Sequence, residues 1–394
     1  MEKRFVYADN AATTKIYPEV LNEMMPYLTE IYGNPSSLHS KGQEAKEALV
    51  AAREKIAKVI NCNSSEIFFT SCGSESDNWA IKGASCMYAK VHKIEKPHII
   101  TTKIEHHAVL HTCESLEKDG YEVTYLSVDK NGFVDPQDVK KAIKDETCLV
   151  AIMYANNEIG TIEPIKEIAK VVKENGRNIP FFTDAVQAVG NINVDVKDLG
   201  VDMLSFSGHK IHAPKGCGCL YVKKGVRVKN LIEGGGQERG KRGGTEGLAN
   251  IVAMAKAAEI AKEKLESGFN KDLMRKRDRL IAGIEEIPEC YLTGDRNKRL
   301  PGNVSFVFKY IEGESLLLLL NAAGICASTG SACSSASLEP SHVLTSLGLP
   351  IEICHGSLRL TISYETTDED IEYIIENTKK AVDRLRQMSP LYNG

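Results

Sequence analysis

Short apolar runs rich in β-branched residues alternate with amphipathic stretches along the first half of the chain. The runs at 98–102, 122–128, 148–154 and 180–183 predict strands, and the stretches between them predict helices. Alternation with short connections indicates an α/β fold in which helices flank a mostly parallel sheet. Ligands of such folds bind at the carboxyl ends of the strands, so the residues after each strand are the first candidates for a site.

The pattern changes in the last third of the chain. A long helical stretch from 248 to about 287 precedes a strand at 303–308 and a capped final helix at 367–388. These elements predict a second, smaller α+β domain. The predicted division, placed inside the long helix, gives a large domain of residues 15–260 and a small domain of residues 1–14 and 261–394.

Composition and charge argue against several classes of partner. Apolar residues make up 42% and charged residues 26%, and the net charge of −4 without a basic block argues against nucleic acid. The first residues lack the apolar core of a signal peptide, and the longest apolar run, 316–320, is too short to cross a membrane. The eleven scattered cysteines favour reduced thiols in the cytoplasm over disulfides.

Three segments that follow predicted strands carry candidate chemistry. Small and hydroxylated residues at 71–76 precede a helix expected to begin near Asp77; they either cap that helix or accept a phosphate at its N-terminus. Asp184 either caps the next helix or pairs with a cation such as a pyridine nitrogen. Lys210 is either a surface lysine or an amine that forms an imine with a carbonyl. Together the three are the parts that hold pyridoxal phosphate.

Histidines and cysteines leave a metal site open as an alternative. His107 and His111 stand four residues apart on a predicted helix, a spacing that zinc sites use, but no third ligand is apparent. Cys217 and Cys219 give a weak metal signal and are otherwise two small residues packed in a strand. His106, where a strand meets a helix, is a candidate to stack on an aromatic cofactor or to act as a general acid or base.

Three motifs make the chain resemble a known family. They are Ser-Gly-His-Lys at 207–210, the glycine-rich 234–240 with Gly244 and Thr245, and Ser-Thr-Gly-Ser-Ala-Cys at 328–333. With them the sequence resembles the NifS/IscS branch of the cysteine desulfurases, in the class V aminotransferase superfamily of fold-type I pyridoxal-phosphate enzymes. The resemblance covers nearly the whole chain. It implies a large domain with a mostly parallel seven-stranded sheet and a smaller α+β domain.

The resemblance also implies a role for individual residues. Lys210 matches the lysine that binds pyridoxal phosphate covalently, Asp184 the acid on its ring nitrogen and His106 the ring stacked on it. Further matches contact the cofactor or its phosphate, namely Gly73, Ser74, Asn157, Gln187, Ser207, Gly208 and His209. Thr245 matches a phosphate contact donated by a second subunit, which implies a homodimer. The residues expected to hold the substrate carboxylate are Arg359, Asn34 and Asn157.

Cys333 matches the cysteine that carries sulfur as a persulfide in that family. It stands in a run of small residues, 327–337, which predicts a mobile loop. In the reaction that the resemblance implies, Lys210 removes the α-proton of L-cysteine, His106 takes the thiol proton of Cys333, and the products are alanine and the persulfide. The sulfur then passes to an iron–sulfur scaffold protein of the IscU/NifU kind. We expect no stable metal site, although Cys333 is a candidate transient cluster ligand shared with that scaffold.

Three other functions fit parts of the same sequence. A selenocysteine lyase would use the same cofactor site, and a plain aminotransferase would not need Cys333. A metal-binding thiol sensor would use Cys217, Cys219 and the histidines near 107 instead of a cofactor. A need for Cys333 would separate the desulfurase from the lyase and the aminotransferase. A visible chromophore would separate it from the metal-binding sensor.

Overall fold

The computed structural model describes residues 4–330 and 339–392 of the 394-residue chain. Its centre is a seven-stranded sheet in the spatial order β2 (Ile67–Thr70), β8 (Gly218–Val222), β7 (Met203–Ser207), β6 (Phe181–Asp184), β5 (Thr147–Ala151), β3 (His98–Thr102) and β4 (Glu122–Leu126). Only β8 runs against its neighbours, since the pairs from β7 through β6, β5 and β3 to β4 are all parallel. The predicted mostly parallel seven-stranded sheet is confirmed.

Helices cover both faces of this sheet. They are α1 (Pro18–Met24), α2 (Pro26–Thr29), α3 (Ser40–Val59), α4 (Gly73–His92), α5 (His107–Lys118), α6 (Pro136–Ala142), α7 (Ile165–Glu174), α8 (Val196–Leu199), α9 (Gln237–Gly240) and α10 (Leu248–Glu266), with short 3₁₀ turns at Ser64–Glu66 and Gly208–Lys210. Aromatic side chains such as Phe181, Phe182 and Phe206 are fully buried in the sheet. Because both faces are covered, the strands are apolar almost throughout, as parallel sheets require.

The remaining elements form a second part of the molecule, built on a second apolar core and on a smaller third cluster that includes Val343, Leu344 and Cys354. Its helices are α11 (Asn270–Glu285), α12 (Gly313–Ala322), α13 (His342–Ser346), α14 (Ile351–Cys354) and α15 (Asp368–Met388), and its strands are β1 (Val6–Tyr7), β9 (Cys290–Leu292), β10 (Asn303–Phe308), β11 (Ile325–Cys326) and β12 (Ser357–Thr361). Strand β10 lies between β12 and β9 in an antiparallel sheet, and β1 pairs with β11 in parallel. Within the described ranges no helix has the length and apolar composition needed to span a membrane.

The start of α4 differs from the sequence-based expectation. The helix begins at Gly73 rather than near Asp77, because the Cys72 thiol acts as the N-cap and accepts the N–H of Glu75 at 3.4 Å. Sulfur is a weak acceptor and an uncommon cap, so composition gave no signal for it. As a result, Gly73 and Ser74 belong to the first helical turn, where backbone N–H groups have no intrahelical partner.

Candidate active site

A cavity of about 340 Å³ opens where the strands of the large sheet end. It lies at their carboxyl ends, the edge at which parallel sheets bind ligands. Ten of the residues singled out in the sequence line it together, namely Gly73, Ser74, His106, Asn157, Asp184, Gln187, Ser207, His209, Lys210 and Arg359. Gly208 does not line the cavity; it is buried beside Met254, 3.2 Å from where its Cβ would stand.

One end of the cavity suits an anion. The first turn of α4 presents its N-terminus there, with Gly73 so close to Val186 that an added Cβ would lie 3.0 Å from a methyl group. Ser74, Ser207 and His209 add polar side chains. Unpaired N–H groups, the helix dipole and nearby hydroxyl groups together are the usual phosphate-binding arrangement.

Two buried carboxyl groups also line the cavity. Asp184, at the end of β6, is 5% exposed and accepts the N–H of Val186 at 2.9 Å. Asp77, 1% exposed, accepts the hydroxyl proton of Ser205 at 2.5 Å. Burial raises the pKa of both, and the proximity of Asp184 raises that of Asp77 further. The charge of Lys210 offsets part of the shift at Asp184. A cationic ring nitrogen in the cavity would further relieve the cost of burying this carboxyl group.

Lys210 projects into the cavity from the 3₁₀ turn that follows β7. Its Nζ donates to the carbonyl oxygens of Ala11 at 2.5 Å and Ala12 at 2.8 Å. The same N-terminal segment is tied to the turn by the hydroxyl of Thr14, which donates to the His209 carbonyl at 3.0 Å. The amine is therefore held beside Asp184 by backbone oxygens, in the place where an aldehyde carbon would bind it.

His106 is the N-cap of α5, and this fixes its tautomer. Its Nδ1 accepts the N–H of Ala108 at 3.1 Å, so the neutral ring carries its proton on Nε2. Burial, together with the charge of Lys210, lowers the pKa of His106 to about 4. At neutral pH the ring is therefore an uncharged N–H donor. The expected stacking on the cofactor and the expected role as acceptor of the Cys333 proton both stay predictions.

Arg359 lies on β12 at the far wall, with only 3% of it exposed. One guanidinium N–H donates to the Asn157 carbonyl oxygen at 3.1 Å and another to Asp9 Oδ1 at 2.9 Å. The Nε has no partner within the described residues. A buried arginine that lines the cavity with an unused donor can bind a carboxylate there.

Asn34 and Thr245 do not reach this cavity. They are exposed and line a separate surface cavity of about 360 Å³ together with Tyr32. The expected place of Asn34 beside Arg359 is therefore not found within a single chain. The stretch that leads to Thr245 is fixed by a buried ion pair, since Arg53 donates to Glu238 at 2.7 Å.

Cys333 lies outside the described residues, within 331–338. The residues before this segment adjoin the site, because Gly330 lines the cavity and the N–H of Ser328 donates to the Arg359 carbonyl at 3.1 Å. The histidines also meet here. The ring centroid of His107 is 4.9 Å from that of His111 and 4.7 Å from that of His342. In the described part of the chain, however, no group of three or more His, Cys, Asp or Glu residues is arranged to hold a metal.

Three functional neighbours escaped the sequence analysis. Asp77 faces Asp184, Glu158 lines the cavity beside Arg359, and Arg242 donates to Glu75 at 2.8 Å in the first turn of α4. The partners of these side chains are far away in sequence, so no local pattern indicated them. Only the position of Arg242 next to the glycine-rich motif could have drawn attention to it.

Known proteins resemble the chain over almost its full length. The family described as Aminotransferase class-V matches residues 6–374. A cysteine desulfurase IscS of Clostridium botulinum (strain Hall) is 57% identical over 390 residues, covering 98% of this chain and 96% of the relative. A cysteine desulfurase IscS of Methanosarcina thermophila is 54% identical, with 99% and 95% covered.

Solved structures agree with these relatives. A NifS-like protein superposes with a TM-score of 0.90 at 39% identity, covering 97% of this chain and 100% of that protein. The protein SspA, solved in complex with cysteine, superposes with a TM-score of 0.77 at 37% identity, with 91% and 98% covered.

Proposed function

The chain belongs to the class-V aminotransferase family and to the cysteine desulfurases within it, and we propose that Lys210 and Cys333 carry the reaction. The observation that supports this most directly is the single cavity that gathers Lys210, Asp184 and Arg359. An amine, a buried acid and a carboxylate clamp are what a pyridoxal-phosphate enzyme needs to act on an amino acid. Cys333 is assigned from the sequence motif.

The residues present fit pyridoxal phosphate. Asp184 would pair with the ring nitrogen, His106 would lie on the ring, and Gln187 and Asn157 would contact the ring hydroxyl. The phosphate would be held by the first turn of α4 with Ser74, Ser207, His209 and the backbone N–H groups of Gly73 and its neighbours. When bound, the cofactor supplies an aldehyde for an amine and a ring that accepts electrons from the substrate Cα.

Three side chains of the protein then have separate roles in the reaction of L-cysteine. Arg359 orients the substrate by its carboxylate, using the Nε donor that has no partner among the described residues. Lys210 Nζ, held by the carbonyl oxygens of Ala11 and Ala12, takes the proton from the substrate Cα. The pKa of Asp184, raised by burial to about 6, leaves this carboxyl group mostly ionised at neutral pH. Its negative charge would stabilise a protonated ring nitrogen, and water screens that interaction little because the site is buried.

Cys333 is the nucleophile that accepts the sulfur. Its thiolate attacks the substrate sulfur, so that an S–S bond forms while the Cβ–S bond breaks and its electron pair stays with carbon. Protonation of that carbon and return of a proton to Cα give alanine, and the persulfide remains on Cys333. An iron–sulfur scaffold protein is the acceptor we propose, because the relatives are named for the IscS type.

We also propose a homodimer that works in the cytoplasm. Thr245 and Asn34 share an exposed cavity away from their own active site, next to the exposed apolar residues Leu28 and Tyr32. A second subunit placed against this surface would receive Thr245 at its phosphate. The ten cysteines within the described residues are free thiols, as expected in a reducing compartment.

Release of alanine and sulfide from L-cysteine under reductant, recorded with the visible spectrum, tests the proposal. We expect the intact protein to release both products and to show a cofactor absorbance that shifts when cysteine is added. Lys210→Ala should lose turnover and that shift, whereas Lys215→Ala, an exposed lysine five residues further on, should behave like the intact protein. Turnover in Lys210→Ala would refute the assignment.

A further inference from the structure

Glu158 lies between the two described ends of the segment that carries Cys333. Gly330 is the last described residue before 331–338, and a Cβ added to it would lie 2.3 Å from Glu158 Oε2. Ser341, just after the segment, donates its hydroxyl proton to the same oxygen at 2.5 Å. One carboxylate oxygen therefore contacts both ends of the segment.

The backbone that carries this carboxylate is held in place by hydrogen bonds. Asn156 Oδ1 accepts the N–H groups of Glu158 at 2.8 Å and Ile159 at 3.0 Å, which fixes the turn after β5. The Glu158 carbonyl oxygen accepts from Asn303 Nδ2 at 3.1 Å, and the residue is only 4% exposed. A buried side chain on a backbone that is fixed in this way has few alternative positions.

Each end of the segment is in turn fixed through these contacts. Ser341 is the N-cap of α13, and its Oγ accepts the N–H groups of Val343 and Leu344 at 3.2 Å each. Its own proton is thus available only to Glu158, so this bond ties the start of α13 to the cavity wall. At the other end Ser328 pairs with Arg359 in both directions, at 3.1 and 2.6 Å.

We propose that Glu158 is a positioning residue for sulfur transfer: it holds Gly330 and Ser341 together at the cavity and thereby sets how effectively Cys333 is delivered to the substrate. This rests on the proposed function, since it assumes that Cys333 is the sulfur carrier. Placing a nucleophile within reach of a bound substrate accounts for large rate factors, and misplacement by about 1 Å costs on the order of 100-fold.

The first test compares Glu158→Ala and Glu158→Gln in a single turnover with saturating L-cysteine. We expect Glu158→Ala to slow alanine formation at least about tenfold, with KM and the cofactor spectrum nearly unchanged. Glu158→Gln should keep most of the rate, because its amide oxygen can still accept the Ser341 proton. Glu163→Gln is the matched control, since Glu163 is equally buried and accepts the N–H of Val134 at 3.0 Å but does not line the cavity.

A second readout needs neither cofactor nor turnover. The alkylation rate of Cys333 by iodoacetamide is measured by peptide mass spectrometry on the cofactor-free protein, with Cys326 as internal reference. Glu158→Ala and Ser341→Ala should change the ratio of Cys333 to Cys326 labelling several-fold and in the same direction, while Glu163→Gln leaves it unchanged.

Two results would overturn the proposal. One is a Glu158→Ala protein with the rate and labelling ratio of the intact protein. The other is a loss that appears in KM or in the cofactor spectrum and leaves the single-turnover rate untouched, because Glu158 would then act on binding. If instead the intact protein forms alanine without Cys333, the proposed function fails and the role of Glu158 fails with it.

Discussion

Burial sets the protonation state and the hydrogen-bonding strength of individual side chains in this cavity. Arg359 is only 3% exposed, and its guanidinium group donates hydrogen bonds to Asp9 and to the Asn157 carbonyl oxygen. Its Nε has no partner among the described residues, and because the site is buried a hydrogen bond from Nε to an anion would be strong. His106 shows the opposite effect: burial beside Lys210 keeps its ring neutral. The sequence indicated the identity of these residues but not their protonation or partners.

Replacing Arg359 with lysine tests the carboxylate clamp. We expect KM for L-cysteine to rise about 10- to 100-fold with a smaller effect on kcat. A lysine ammonium cannot bind Asp9 and the Asn157 carbonyl oxygen and also present a donor at the place of Nε, and one charge-assisted hydrogen bond contributes about 1.5–3 kcal/mol. Steady-state kinetics measures both constants. The exposed Arg384→Lys serves as control, and an unchanged KM in Arg359→Lys would show that the substrate carboxylate binds elsewhere.

At the scale of elements, strand positions followed from local patterns and contacts between elements did not. The strand at 98–102 was predicted and is found as β3, yet nothing in the sequence placed His98 between Thr147 of β5 and Thr124 of β4, at 2.9 and 2.8 Å. Helix α4 begins four residues early because a cysteine caps it. Such partners come together only when the sheet order is known.

His98 makes stability depend on pH in a defined direction. Burial lowers its pKa to about 4 from 6.5, so the folded state resists protonation while the unfolded state accepts a proton below 6.5. This contribution is therefore present above pH 6.5 and is lost as pH falls towards 4, at up to about 1.4 kcal/mol per pH unit. In urea unfolding, the advantage of the intact protein over His98→Gln should shrink as pH falls from 7 to 4. A difference that stays constant would contradict this.

At the scale of the whole molecule, two large apolar cores, a smaller third cluster and one shared cavity define the organisation. The first core spans the seven-stranded sheet and the second gathers α11, α12 and α15 around β10 and β12. The division at residue 260 stays a prediction, and α10 runs through that position without a break. Strand ends in the sequence indicated the segment 71–76, His106, Asp184 and Lys210, and the family resemblance indicated Asn157, Gln187 and Arg359. Neither indicated Glu158, whose partners are more than 170 positions away in the chain.

Mixed dimers test whether Thr245 acts across subunits. A dimer of one Lys210→Ala chain and one Thr245→Val chain should contain one intact site and one doubly altered site, and so recover about half of the activity of the intact protein. If Thr245 serves its own chain, the mixed dimer should not exceed half the activity of Thr245→Val alone. Light scattering should give twice the 43.3 kDa chain mass for every form.

The most direct test of the account is to find the sulfur after one turnover. The intact protein is mixed with one equivalent of L-cysteine without reductant, alanine is quantified, and the peptides are analysed by mass spectrometry. We predict one added sulfur atom on the peptide at Cys333 for each alanine formed, and neither product in Cys333→Ala, although that variant should keep its cofactor absorbance. Alanine formation that continues in Cys333→Ala, or sulfur found on another cysteine such as Cys326, would contradict the assignment of Cys333 as the sulfur carrier.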